Sequence, residues 1–450
     1  MLSQEELQVD TLGERRIPSP LKLSVIAGDE IADYVPDDAR VMIDVESSST
    51  KVVDTSLTFE KAGPRQFVYF AGKDIRVGLV TCGGLCPGIN SVIRGIVLQL
   101  FHQYGVREIL GFRFGYQGMA QVPRHAPMKL GPDEVRHIHR EGGSVLGSAR
   151  GGPPVPEMVD TLERHRIDIL FTIGGDGTLR GAKAIHDEIV RRGKKIAVIG
   201  VPKTIDNDVF YVDKTFGFDT AVEMARVALD GAHTEASSAE NGIGLVKLMG
   251  RDSGFIAAAA TLASLEVNFC LVPEIHFELD GADGLLHHLE LRLRDRNHAL
   301  VVVAEGCAQH FTGGDKTAAD AGGNLKSEVD AGLFLKDAIT NHFKAIGAPV
   351  NLKYIDPSYI IRSVPANAND SIFCDMLARS AVHAGMAGKT GIVIGRWHGI
   401  FTHVPLQLAT SHRKTIDTDS GLWLSVTEAT GQPDMSSVPP SRRAAAWQTQ

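Results

Sequence analysis

The chain has 450 residues, is 43% hydrophobic, and carries 46 Lys+Arg against 54 Asp+Glu, a formal net charge of −8. At about 150 residues per domain this length predicts two or three units. The acidic balance argues against a protein held on a nucleic-acid backbone, and no charge-free apolar run reaches the ~18 residues of a membrane span. The start, MLSQEELQVDTLGERR, is acidic and lacks an apolar stretch, so no signal peptide is expected. Five cysteines, an odd number, suit a reducing compartment, and the expected location is cytoplasmic. Glycine is the outlier: 47 residues, roughly a tenth of the chain against a usual ~7%.

Residues 1–70 read as an N-terminal extension with scattered prolines and a β-like patch at 21–26, LKLSVI. From residue 75 onward, apolar strand patterns alternate with helical ones. The strand IRVGLVT (75–81) leads through CGGLCPG into a helix. DILFTI (168–173) is followed by GGDGT and a helix near 179–191. KIAVIGV (195–201) ends at PKTIDND, and a long helix follows over about 220–234. Further on come the strand IGLVKLM (243–249), the helix FIAAAATLAS, a strand over 267–272, and LVVVA (300–304). Residues 311–327 are small, polar and glycine-rich and read as a mobile loop. A helix near 330–346, the strand LKYID, a helix near 369–383 and the strand GIVIG complete the series. Short apolar strands alternating with helices predict an α/β protein: two αβα, Rossmann-like domains with mainly parallel sheets. The expected divisions are 1–70, 71–220 completed by part of 365–400, 221–364, and a C-terminal segment 401–450.

The glycines cluster where strands end, which is where open α/β sheets bind ligands. Gly174-Gly175-Asp176-Gly177-Thr178 can bring backbone N–H groups and a helix N-terminus to a phosphate. Asp176 within that loop makes sense with Mg²⁺ between it and the phosphates; the alternative is a tight turn with an Asp N-cap. The turn at 81–88 is a second Gly-rich exit, in which Cys82 and Cys86 are expected to be packing residues. In Pro202-Lys203-Thr204-Ile205-Asp206-Asn207-Asp208, one carboxylate can act as general base on a hydroxyl. The other can help hold Mg²⁺ or orient groups, and an Asx-rich turn is the plain alternative. Arg251 and Arg362 are fork donors suited to a sugar phosphate, Glu305 can accept from sugar hydroxyls, and Arg150 can reach a transferring phosphoryl group. The inventory fits phosphoryl transfer to a hydroxyl, without a P-loop or a protein-kinase motif set.

The ordered motifs GLVTCGGLCPGINSVIRG, GFRFGYQG, GSVLGSARGG, TIGGDGT, VPKTIDNDV, FGFDTAVEMA, GLVKLMGRDSGFIA, LVPE, VVVAEG and YIDPSYIIRSVPAN span about residues 75–400. In these the chain resembles the 6-phosphofructokinases, specifically their long plant- and trypanosome-like branch. The resemblance implies that Gly83, Arg150, Gly151, Gly175, Asp176, Gly177 and Thr178 bind ATP, and that Asp176 holds Mg²⁺. It implies that Asp206 accepts the proton of the sugar 1-hydroxyl, with Arg150 and Asp208 beside it in catalysis. Fructose 6-phosphate is then held by Thr204, Ile205, Asp206, Met249, Gly250, Arg251, Glu305, Lys353, Tyr359, Ile360, Ile361 and Arg362. In short bacterial relatives two arginines of a neighbouring subunit bind the sugar phosphate; their places here correspond to Gly242 and Lys353, and only Lys353 offers a cation. The resemblance also implies a homodimer or homotetramer and no nucleic-acid or membrane partner.

Two positions bear on the donor. Pyrophosphate-dependent relatives usually carry Asp where this chain has Gly177, and a side chain there would crowd and repel the α-phosphate of ATP. Lys203 points the other way, since pyrophosphate enzymes share it. Gly177 touches the discriminating phosphate and so weighs more, giving ATP as the expected donor. The competing readings are a pyrophosphate-dependent enzyme, a lipid or NAD kinase sharing the GGDGT turn, and a non-catalytic regulatory subunit.

Overall fold

The computed structural model describes residues 2–26, 28–49, 52–310 and 329–435. The stretch 311–327, read above as a mobile loop, lies outside the described residues. A nine-stranded sheet runs, in spatial order, through Arg40–Met42, Thr58–Lys61, Ile400–Pro405, Ile392–Trp397, Ala197–Pro202, Ile169–Gly174, Arg76–Thr81, Glu108–Phe112 and Met128–Lys129. The strands from Ile392 to Glu108 in that order are parallel, and antiparallel strands close both edges. A second sheet of four parallel strands holds Phe269–Leu271, His298–Ala304, Gly242–Leu248 and Asn351–Ile355.

The central strands are buried at every position, in ILFTIG, AVIGVP and GIGLVKL alike. That is why they read as unbroken apolar runs: helices cover both faces, so neither face needs polar residues. Truncating a core ring such as Phe171, which is fully buried, would cost about 3–5 kcal/mol. Register then sets the site. Pro202 pairs with Gly174, and Thr81 with Ile173, so the three polar motifs of the large sheet leave its carboxyl edge together. In the small sheet Leu248 pairs with Ala304 and Val246 with Ile355, which aligns the exits carrying Met249–Arg251, Glu305 and Tyr359–Arg362.

Asp370 joins the layers. Near the start of the helix Ala368–Met386, its carboxylate accepts from Gly217 N (3.0 Å), Thr220 N (2.8 Å) and Thr220 Oγ1 (2.6 Å). These N–H groups open the helix Phe218–Ser237, whose N-cap Gly217 has no side chain of its own to offer.

Several boundaries differ from the sequence reading. The patch at 21–26 forms no strand. Ser24 makes an isolated bridge to Asp33, and its hydroxyl bonds Asp29 (2.5 Å), so the stretch folds on itself as a loop. The first 70 residues add Arg40–Met42 and Thr58–Lys61 to the large sheet. They are pinned by buried Glu60, which accepts from Arg65 (2.9 Å) and Lys389 (2.7 Å) and meets His403 (3.1 Å). The expected divisions at 221 and 401 fall inside the helix Phe218–Ser237 and the strand Ile400–Pro405.

Candidate active site

A cleft of about 370 Å³ opens where the strand exits meet, a volume within the usual range for small-molecule sites. A larger cavity of about 690 Å³ lies between the N-terminal residues and 405–412, but no comparable set of catalytic groups converges there. The smaller cleft is lined by Gly83, Arg150, Gly151, Gly175, Asp176, Gly177, Thr178, Lys203, Thr204, Ile205, Asp206, Asp208, Met249 and Arg362. Fourteen positions singled out in six separate segments of sequence thus line one cleft.

The GGDGT segment is not a free loop ahead of a helix. The helix starts at Asp176, so Asp176, Gly177 and Thr178 form its first turn, and their N–H groups belong to the unsatisfied end. Gly174 must lack a side chain, because a Cβ there would lie 2.1 Å from Thr178 Oγ1. Asp176 does not cap the helix. Its two oxygens take Arg180 Nε at 3.1 and 3.0 Å, one turn on. Beside it the turn at 82–88 is tied to the turn at 147–152: Gly83 N donates to Ala149 O (3.0 Å) and Ser148 Oγ to Gly83 O (2.7 Å). Lys203 lies beneath, buried, with Nζ donating to Gly84 O at 2.6 Å; burial pushes its pKa down. Cys82 and Cys86 are buried free thiols whose pKa values burial raises, as expected of packing residues.

The segment after Pro202 forms the floor. Asp206 N donates to Thr204 Oγ1 (3.0 Å), and Asn207 Oδ1 accepts from Thr215 N (3.0 Å). Asn207 holds a left-handed backbone, φ 56°, and so turns the chain between the two carboxylates. Asp206 Oδ1 is sealed from solvent and, among the described residues, has no hydrogen-bond partner. Burial, then the charge of Asp208, pushes the Asp206 carboxyl well above its ordinary value. Asp208 is raised by burial too, opposed by Arg413 and the Thr204 hydroxyl.

The remaining candidates rim the small-sheet side. Gly250 has φ 122°, and a Cβ there would meet Ser253 O at 2.3 Å, so only glycine makes this turn. Arg251 approaches Glu305 at 3.8 Å, and burial raises the Glu305 carboxyl against the pull of Arg251. Arg362 stacks on the Tyr359 ring at 4.9 Å. Tyr359 and Ile360 are exposed, whereas Ile361 is fully buried and its side chain packs in the core. Lys353 is exposed on the edge strand of the small sheet, away from the cleft lining. A Cβ at Gly242 would lie 2.0 Å from Ala236 O, so no side chain fits there.

Arg413, which lines the cleft, and its partner Asp252 escaped the sequence reading. Arg413, in the C-terminal segment, lines the cavity and approaches Asp176 (3.6 Å) and Asp208 (3.7 Å) while pairing with Asp252. Only the charge of Asp252 inside MGRDSG offered a signal; a lone arginine in SHRKT offers none.

The comparisons agree with this geometry. A phosphofructokinase family profile matches residues 76–385. The chain is 47% identical over 437 residues to an ATP-dependent 6-phosphofructokinase of Borreliella burgdorferi, covering 95% of this chain and 97% of that one. It is 44% identical over 434 residues to an ATP-dependent 6-phosphofructokinase of Trypanosoma brucei brucei, covering 95% and 88%. A crystal structure of a pyrophosphate-dependent phosphofructokinase from Marinobacter aquaeolei superposes with a TM-score of 0.64 at 21% identity, over 81% of this chain and 93% of that one, and shares the fold. With profile, relatives and architecture in accord, the chain belongs to the phosphofructokinase family.

Proposed function

We propose that this protein is an ATP-dependent 6-phosphofructokinase, moving the γ-phosphoryl group of ATP to the 1-hydroxyl of fructose 6-phosphate. The observation that carries the mechanism is Asp206: it lines a cleft that also holds a helix N-terminus, and its buried Oδ1 accepts no hydrogen bond among the described residues. Such an oxygen is free to accept a hydroxyl proton, and its raised pKa suits a general base. The helix turn Asp176–Thr178 and the tied turns at 83 and 151 would cradle the donor phosphates. Arg150 would meet the transferring group, and Asp208 would orient the base. Met249, Arg251, Glu305 and Arg362 would hold the sugar phosphate, with Tyr359 stacked behind Arg362. Lys353, exposed on an edge strand, would offer its cation to the site of a neighbouring subunit in a homo-oligomer.

The family implies Mg²⁺, and the residues fit it. Mg²⁺ is commonly held by one or two carboxylates together with substrate phosphates, and Asp176 presents a carboxylate at the donor wall. Bound there, Mg²⁺ would neutralise charge on the phosphates. We assign the donor half to the large sheet and the sugar half to the small one, close to the divisions 71–220 with part of 365–400 and 221–364 read from the sequence. No helix among the described residues is long and apolar enough to cross a membrane, and the compartment proposed is the cytoplasm.

ATP rather than pyrophosphate is favoured by the ATP-dependent activity for which the relatives are named and by Gly177, which is exposed at the cleft and leaves the α-phosphate space open. A coupled assay for fructose 1,6-bisphosphate with each donor tests the proposal. ATP should support turnover; product from pyrophosphate alone would overturn the donor, and no product from either would leave a regulatory subunit.

A further inference from the structure

We infer that Arg413 is a positioning residue for phosphoryl transfer, joining the two halves of the cleft by gathering carboxylates from both. The inference rests on the kinase reading above. Arg413 is carried by a strap that follows the short helix Leu406–Ala409 and crosses between the sheets. On the large-sheet side, Arg413 bridges Val209, and Lys414 N donates to Asp208 O at 2.9 Å. On the small-sheet side, Ile416 N donates to Glu274 Oε1 at 2.8 Å. Glu274 also accepts from Gly254 N at 2.9 Å, ahead of the helix Phe255–Ser264. The strap is therefore fastened at both ends, by a main-chain bond to Asp208 O and by a main-chain N–H to the Glu274 carboxylate.

From this fixed base the guanidinium reaches acids of different origin. Asp176 and Asp208 follow strands of the large sheet, and Asp252 follows a strand of the small one. The Arg413 side chain is 22% exposed, so it is lodged among them rather than waving in solvent. A planar fork with five donors can serve several carboxylates at once; a lysine ammonium cannot keep that geometry. Phosphoryl transfer asks little of a protein except position and charge, and donor and acceptor here hang from different sheets. A misplacement of about 1 Å can cost on the order of 10²-fold in rate. Arg413 ties the base loop, the donor-wall carboxylate and the sugar-side turn to one point, which fixes that separation.

The test compares wild type with Arg413→Ala, Arg413→Lys, Asp252→Asn and the Arg413→Ala/Asp252→Asn double variant of the full chain. Steady-state kinetics, melting temperature and hydrogen exchange of the 206–213 and 250–254 segments are the readouts. Arg413→Ala should lower kcat by about 10²-fold with both KM values within about threefold, and free guanidinium should restore part of the loss. Arg413→Lys should recover only part of kcat, Asp252→Asn should lower it, and the double variant should be no worse than Arg413→Ala. Exchange should rise in both segments while the melting temperature moves little. Wild-type kcat in Arg413→Ala, fully additive losses in the double variant, or unchanged exchange would each overturn the inference. Should Arg413→Ala fail to fold, wild-type kcat in both Arg413→Lys and Asp252→Asn does the same. A wild type with no turnover would refute the kinase reading alone, and the exchange measurement would still decide whether Arg413 holds the two segments.

Discussion

Gly177→Asp separates donor choice from folding, because the substitution acts in opposite directions on the two. Gly177 is the second residue of the helix Asp176–Arg191 and is exposed at the cleft. An acid in a first helical turn is favourable by about 0.3–1 kcal/mol, and leaving glycine gains a few tenths more. Stability should therefore hold or rise, the more so because Arg180 lies one turn from Asp176 and already balances its charge. Binding should suffer. Two unit charges about 4 Å apart repel by ~1 kcal/mol in water and by ~4 kcal/mol at the effective dielectric of a partly covered protein site. At 1.4 kcal/mol per tenfold, that predicts a fall in kcat/KM for ATP of about 5- to 10³-fold. Gly177→Ala supplies a methyl without the charge and should lose far less. The assay is kcat/KM for ATP and for pyrophosphate, read beside the melting temperature. Unchanged ATP kinetics in Gly177→Asp would refute the reasoning, as would an equal loss in Gly177→Ala.

The other predictions concern named charges. Asp206→Asn should lower kcat by about 10²–10⁴-fold, the range of a general base, with KM largely kept; a near-normal kcat removes Asp206 from the role. Because burial and then Asp208 raise the Asp206 carboxyl, activity should fall away with decreasing pH above the ordinary carboxylate range. Asp208→Asn should move that limb to lower pH, and a limb that stays put contradicts the coupling. Glu60 would be raised by burial alone, but His403 and Lys389 hold it well below its unfolded value of 4.5. Its stabilisation is full above pH 4.5 and drains away as pH falls toward the depressed folded value. Glu60→Ala strands Lys389 and Arg65 in the interior and should cost about 3–5 kcal/mol in chemical denaturation; a cost under about 1 kcal/mol would show the network to be slack. Burial lowers Lys414 from 10.5 to about 8, so the folded state binds fewer protons than the unfolded between those values. Its contribution therefore makes stability rise with pH across that window. Lys414→Met should flatten that rise, and an identical pH slope in the variant would contradict the assignment.

The sequence made the central sheets legible because covered parallel strands leave a plain mark. ILFTIG, AVIGVP and GIGLVKL have no exposed position to interrupt them. The strand-end motifs were legible for the same reason: a polar, glycine-rich run after an apolar strand has few other uses. Edges were not legible. Arg40–Met42 and Met128–Lys129 are two or three residues long, too short to show any period. LKLSVI has the composition of a strand, yet local bonds from Ser24 turn it into a loop. Arg413 is the instructive miss within the site. It acts 161 residues from Asp252, and nothing local records a partnership made only by the strap's path between sheets.

The same contacts distinguish the base from its neighbours. Five carboxylates gather about the cleft, and a wall of that charge would repel a polyphosphate unless most were matched. Asp176 is held by Arg180, Asp252 pairs with Arg413, Asp208 lies near Arg413, and Glu305 lies near Arg251. Each pairing aims a cation and offsets a negative charge. Asp206 has no such partner: among the described residues its Oδ1 accepts no hydrogen bond, although water cannot reach it. A buried acceptor left unpaired costs on the order of 1–3 kcal/mol in the free protein. A hydroxyl delivered to that oxygen would recover the cost on binding, at the one atom where the proton must be taken. Neutralising a matched acid would disturb position or charge balance, whereas removing the unmatched one leaves the proton with nowhere to go.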